Sequence, residues 1–209
     1  HNRLKDYLPT YEGTVSPPTS PRQGMLSRLF FSSKTPWKEY SAKDIARQLT
    51  LIDFSMYSKI QPKGTKPPST PPSIYSYSMH HPLECLNQAW NKKNRAAGAP
   101  NITSMIDRTN IVGRWVADEL VSISNIRERA RMIRKLVKVA WQCLQLNNFN
   151  AVFGIVGGLN TTPIARLTKT WELLKDDTKH KERYERLEQI TNPNKSYKAS
   201  RETMAQIAP

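Results

Sequence analysis

The chain is short of cysteine, glycine, histidine and acid, and each shortage removes a class of function. Its two cysteines, Cys85 and Cys143, are far apart in sequence and match no metal or redox spacing, as in a protein of a reducing compartment. Eight glycines form neither a GxxxxGK[ST] phosphate loop nor a GxGxxG turn. Gly154, Gly157 and Gly158 fall inside an apolar segment at the wrong spacing. The four histidines are His1, His80, His81 and His180, and no Ser or Cys nucleophile stands beside a histidine motif. His80 and His81 precede Glu84 and Cys85, but no convergent further ligands follow, so no metal is expected. Paired carboxylates are absent from apolar faces, so catalytic residues, cofactors and bond-breaking chemistry are not expected. No apolar run approaches the roughly 18 residues of a membrane span, and no signal peptide opens the chain. An intracellular, cytoplasmic protein is the plain expectation. A start at His1 rather than Met reads as a fragment, a processed form or a trimmed chain.

Acid is the deepest shortage: 17 Asp and Glu face 32 Lys and Arg, giving a net charge of +15 and a pI near 10.0. Such a chain suits an acidic partner, whether nucleic acid, an anionic membrane or an acidic protein face. A basic helical nucleic-acid binder rests on charge alone, and no nucleic-acid-binding motif supports it.

Proline, by contrast, is plentiful at 15 residues, and it clusters. Residues 1–36 contain SPPTSPRQ and read as a flexible Pro/Ser-rich segment. Ser16-Pro17 and Ser20-Pro21 are candidate phosphorylation sites within it, against the simpler reading of a solvated linker. Met25 to Phe31 forms a short apolar patch. Residues 61–81, QPKGTKPPSTPPSIYSYSMHH, read as a Pro-rich insertion, a spacer or a polyproline ligand. Without these segments roughly 150 residues remain, enough to bury about 68–70% of the unfolded surface in one core.

Helical periodicity fills the rest, and no strand is expected. Ser41 and Asp44 resemble a capping box, ahead of Ile45, Leu49 and Ile52. A second short helix after Asp53 carries Met56, Tyr57 and Ile60. Another runs from Pro82 through Leu83, Leu86, Ala89 and Trp90 to a basic loop at 91–100. Asn101 caps a helix whose apolar face is Ile102, Met105, Ile106, Val112, Val116 and Leu120. Asn125 starts the next, with Ile126, Ala130, Ile133, Val137, Ala140 and Leu144 inward. Its outer stripe of Arg127, Arg131, Arg134, Lys135 and Lys138 is a solvated face or a surface for anionic headgroups. Asp176-Asp177-Thr178 caps a charged helix with Tyr184, Leu187 and Ile190, and a last helix carries Tyr197, Met204 and Ile207.

The organising stretch is Leu146–Leu174, LNNFNAVFGIVGGLNTTPIARLTKTWELL. Val152, Phe153, Ile155, Val156 and Leu159 predict a helix apolar nearly all round and therefore buried. Thr162 suits an N-cap and Pro163 the first helical position, after which Ile164, Leu167, Trp171 and Leu174 share one face. The corner between these two helices places Asn160, Thr161 and Thr162 at a buried seam.

Taken with DIARQLTLID (44–53), ECLNQAW (84–90) and APNITSMI (99–106), that stretch resembles the catalytic domain of guanine-nucleotide exchange factors for Ras-family GTPases, the Son of sevenless family. The resemblance runs from about Ser41 to Pro209, so that residues 37–209 read as a partial exchange domain. It implies an all-α, bowl-shaped bundle that grips switch II of a Ras, Rap or Ral type GTPase. A helical hairpin then opens switch I, and GDP leaves without any covalent change. The resemblance further implies GTPase-facing roles for Ile106, Asp107, Asn110, Phe153, Asn160, Thr162 and Tyr197. Asn160 would support the hairpin, Phe153 would pack on switch II, and Tyr197 would line the same bowl. Periodicity alone reads Phe153 and Ile106 as core and Asn160 as a helix terminus.

Two departures from the pattern stand out. Asp107 replaces an arginine found in Son of sevenless, which reverses a charge on the partner-facing side. The family's hairpin would follow Pro209, so the polypeptide reads as truncated before it and is expected to exchange nucleotide poorly alone. The rival reading is a non-catalytic scaffold that keeps the fold and binds a GTPase without opening it. Recruitment to the inner face of the plasma membrane would suit the basic stripe.

Overall fold

The computed structural model describes residues 40–60 and 84–207. The Pro/Ser-rich segment, the Met25–Phe31 patch, the 61–81 insertion, Pro82 and Leu83 lie outside the described residues. Among the described residues every regular element is helical: α1 (Ala42–Tyr57), a 3-10 turn (Leu86–Asn91), α2 (Arg95–Gly98), α3 (Pro100–Ser122), α4 (Ile126–Gln145), α5 (Phe149–Leu159), α6 (Thr162–Ala165), α7 (Thr168–Glu172), α8 (Thr178–Thr191) and α9 (Asn194–Ala205). The all-α expectation therefore holds.

Helix α5 is the hub, packing closely on α3 and also on α4 and α8, while α4 carries α1 on another side. The core is one cluster that includes Ile45, Leu49, Val116, Leu120, Ile133, Leu136, Val137, Val152, Ile155, Leu159, Leu187 and Ile190. Glycine makes the α3–α5 approach close. A Cβ placed on Gly158 would lie 2.5 Å from the Gly113 carbonyl oxygen and 2.7 Å from Val116 Cβ. Gly154 is nearly as tight, 3.0 Å from Val112. These glycines let two backbones touch, which explains a glycine-rich apolar segment that grips no phosphate.

Ser41 caps α1, accepting the Asp44 N–H at 3.2 Å. The sequence suggested a break at Asp53, but α1 runs through it to Tyr57. Asp53 is buried and held: Arg108 Nε lies 3.3 Å from Oδ1, and Asn148 Nδ2 donates to Oδ2 at 2.9 Å. Pairing removes the cost that makes a buried carboxylate unlikely on pattern grounds.

The helix expected over 82–90 is a six-residue 3-10 turn. At α3 the N-cap is Ala99, with Pro100 as first residue, rather than Asn101. Asn101 Nδ2 donates to Glu84 Oε1 at 2.6 Å, and the Ile102 N–H donates to Glu84 Oε2 at 2.8 Å. Glu84 thus satisfies a helix start from outside, which sequence spacing cannot show. At the other end of α3, Arg129 donates to the carbonyls of Leu120 and Ile123.

Asn125 caps α4 as expected, accepting the Arg127 and Glu128 N–H groups. Ile126, placed inward by periodicity, is 39% exposed because it occupies the first position of the helix. Helix α4 ends in a Schellman closure: Asn147 is left-handed at φ 58, its N–H donates to Leu144 O, and the Asn148 N–H donates to Cys143 O. Asn148 then caps α5 through the Ala151 N–H at 3.0 Å. Burial, with a contribution from Asp53, pushes the Cys143 thiol up to about 12, so it serves as a core residue.

The corner after α5 also differs from expectation. Thr161, rather than Thr162, is the N-cap residue of α6, and its hydroxyl donates to Gly158 O at 2.8 Å. One continuous helix to Leu174 was expected; instead α6 and α7 are short and separated by a turn at 166–167. The Ile164 carbonyl takes the Trp171 indole N–H at 2.9 Å, while the Thr168 N–H turns to Arg166 O. Ile164 and Leu174 are nonetheless buried, with Leu167 and Trp171 packed against the core.

Candidate functional site

Helix α5 is not buried all round. Ala151, Val152, Ile155, Val156, Gly158 and Leu159 point inward, whereas Asn150 and Phe153 are half-buried and Gly157 and Asn160 are exposed. The outward positions recur at three, four and three residues, a single stripe down the helix. A Cβ added at Gly157 would meet nothing within 4 Å. Asn160, expected at a buried seam, is exposed, so the corner opens outward.

Several predicted residues converge on this stripe. Phe153 makes an edge-on contact with Tyr197, ring centroids 5.5 Å apart at 75°. Tyr197 does not sit on a regular helix as periodicity suggested. Lys195, Ser196 and Tyr197 adopt left-handed backbone at φ 51, 55 and 57, a turn that precedes the right-handed part of α9. For residues with a Cβ such geometry costs about 1–2 kcal/mol each. It leaves Tyr197 45% exposed beside Phe153. Asn150 accepts from the Thr109 hydroxyl at 2.5 Å, tying the upper end of the stripe to α3. On α3, Ile106 is half-buried and Asp107 and Asn110 are exposed, within a turn of Thr109. Asp107 lies 4.0 Å from Arg95 in a half-exposed pair, a geometry that contributes at most about 1 kcal/mol. Thr162 is exposed in the first turn of α6, just past Asn160.

Sequence reasoning missed the support beneath Asn160. The Tyr184 hydroxyl donates to Asn160 Oδ1 at 2.6 Å. Tyr184 stacks on Trp171 at 5.3 Å and lies parallel to His180 at 6.3 Å. Burial, then the charge of Glu188 and a hydrogen bond to its carboxylate, raises the tyrosine well above its ordinary value, so the hydroxyl stays protonated and has both Asn160 and Glu188 as acceptors. His180 is buried and pushed below its ordinary value by desolvation, with Arg134, Lys138 and Arg183 adding to the effect and Asp177 opposing it.

A second surface is basic. Arg127, Arg131 and Lys138 are exposed along α4, but Arg134 and Lys135 are half-buried. Arg134 donates to Leu173 O at 2.8 Å and pairs with Asp177 at 3.3 Å, so it anchors the segment after α7 rather than facing solvent freely. Burial lowers Lys135 from its ordinary value. Among the described residues no cluster of three or more His, Cys, Asp or Glu could hold a metal, and no helix is long and apolar enough to cross a membrane.

The outward stripe of this core helix is thus flanked by the aromatic turn at Tyr197 and by α3. Comparison with known proteins gives it a family. The RasGEF domain model matches residues 73–209. The chain belongs to the RasGEF domain family. It is 37% identical over 161 residues to Ras guanine nucleotide exchange factor Y of Dictyostelium discoideum, covering 77% of the chain and 9% of that protein. Factor A of the same organism is 35% identical over 185 residues, covering 88% of the chain and 27% of the relative. Factor E is 35% identical over 191 residues, with 91% and 16% covered. The chain therefore spans about a quarter or less of the length of these relatives. Helix α1 lies upstream of the matched range yet packs on α3 and α4, so this RasGEF chain's core extends beyond it.

Proposed function

We propose that this chain carries the GTPase-binding surface of a guanine-nucleotide exchange factor for a Ras-like small GTPase of Ras, Rap or Ral type. The observation that carries the reading is the outward stripe of α5, Asn150, Phe153, Gly157 and Asn160, with Tyr197 packed on Phe153. Membership of the RasGEF family supports it. An exchange factor breaks no bond. It accelerates GDP release by binding the empty GTPase more tightly than the loaded one, and only that difference shifts the populations. The α5 face suits such binding, with an aromatic pair for apolar anchoring, an open glycine for close approach, and exposed amides and a carboxylate for orientation.

The test is affinity for nucleotide-free against GDP-loaded GTPase across Ras, Rap and Ral types, measured with this chain. Preference for the nucleotide-free form of at least one is expected. Equal affinity for both forms would contradict exchange and favour the non-catalytic scaffold.

We further propose a cytoplasmic protein whose exposed cations Arg127, Arg131 and Lys138 meet the anionic inner face of the plasma membrane. Co-flotation with phosphatidylserine vesicles, lost in an R127E/R131E/K138E variant, is the expected result.

A further inference from the structure

Asn160 ends α5 on the exposed corner, where an amide side chain has no packing of its own to fix its orientation. Either end of the amide could then face a partner, and a donor and an acceptor attract opposite groups. Tyr184 resolves that choice. Its hydroxyl reaches Asn160 Oδ1 from below at 2.6 Å, across 24 residues of sequence. The ring itself cannot drift, being stacked on Trp171 and flanked by His180. Trp171 in turn is pinned through its indole N–H to Ile164 O, and His180 lies in the first turn of α8, where its N–H donates to Asp177 at 3.1 Å.

We infer that Tyr184 is a positioning residue that locks the Asn160 side chain with Nδ2 outward, so that the corner offers a donor and selects a partner carboxylate or carbonyl there. The inference rests on the GTPase-binding reading for its partner but not for the lock itself. A side chain held in one orientation loses little further freedom on binding, and preorganisation of this kind raises affinity without adding a contact. Phenylalanine would keep both ring contacts and lose only the hydroxyl's bonds, the one to Asn160 and the one to Glu188 on its own helix.

The substitution Tyr184→Phe isolates the hydroxyl. In the free chain, the Asn160 side-chain amide pair in a 15N correlation spectrum is expected to be displaced from solvent-exposed positions. In Tyr184→Phe it should move toward them, with the thermal midpoint nearly unchanged. An Asn160 signal that does not respond to Tyr184→Phe would overturn the lock, whether or not any GTPase binds. Against a nucleotide-free GTPase the variant should bind about three- to tenfold more weakly, the usual size of one lost hydrogen bond. Combining it with Asn160→Ala should add no further loss, because Tyr184 acts only through Asn160. Independent, multiplying losses, or a loss that tracks thermal stability, would make Tyr184 a structural residue and overturn the inference. If the wild-type chain binds no nucleotide-free GTPase, the proposed function fails, while the spectroscopic result still decides the lock.

Discussion

The two faces of α5 use the same kinds of residue for opposite purposes. Gly158 faces inward, where a methyl group would strike the backbone of α3 at 2.5 Å, whereas Gly157, one residue earlier, faces open space. Asn148 is buried and spends its hydrogen bonds on the fold, capping α5 and holding Asp53, while Asn160 at the opposite end is exposed and held by Tyr184. Residue type alone separates neither pair. Direction does, and direction follows from helical phase once one face is known to be buried.

The strongest way to break this contrast is Gly158→Ala. The added carbon meets backbone rather than a flexible side chain, so the helices must separate. A loss of about 3 kcal/mol or more is expected, at or beyond the upper end of ordinary overpacking, read as a shift in denaturant midpoint. Asn160→Ala comes next and acts differently. Affinity for the nucleotide-free GTPase should fall about tenfold, a loss of about 1.4 kcal/mol in binding, while the thermal midpoint hardly moves. Parallel losses of stability and affinity would return Asn160 to a structural role. The smallest effect belongs to Gly157→Ala. Helix propensity should raise stability by about 0.5–1 kcal/mol, while the new methyl group weakens GTPase binding modestly. Opposite signs for stability and affinity at one position would mark it as part of the binding face.

Much of the fold was legible because its elements are amphipathic and well capped. Helix α4 shows this best: Asn125 at the cap and Ile133, Val137 and Ala140 inward are all as periodicity placed them. The errors share a cause, which is pairing at a distance. Asp53 looked like a helix boundary until Arg108 and Asn148 were seen to hold it, and Asn101 looked like a cap because Glu84 was not known to lie opposite. Trp171 broke an expected helix by taking a carbonyl from its backbone. The site was legible in part. Phe153, Asn160 and Tyr197 were singled out by resemblance, and their placement on or beside one stripe is a structural finding. Tyr184 was read only as one residue of a charged helix. Nothing in sequence spacing reveals that its hydroxyl ends 2.6 Å from Asn160. The left-handed turn at 195–197 was equally invisible, since none of its residues is a glycine.

We propose the outward stripe of α5 as the place where a small GTPase binds. Backbone amide shift mapping of the labelled chain, with an unlabelled nucleotide-free GTPase of Ras, Rap or Ral type added, tests it most directly. Perturbations concentrated at Asn150, Phe153, Gly157, Asn160 and Tyr197, with the cations Arg127 and Arg131 of α4 unaffected, are the expected result. Perturbations centred on the α4 cations, with the α5 stripe unchanged, would contradict the account.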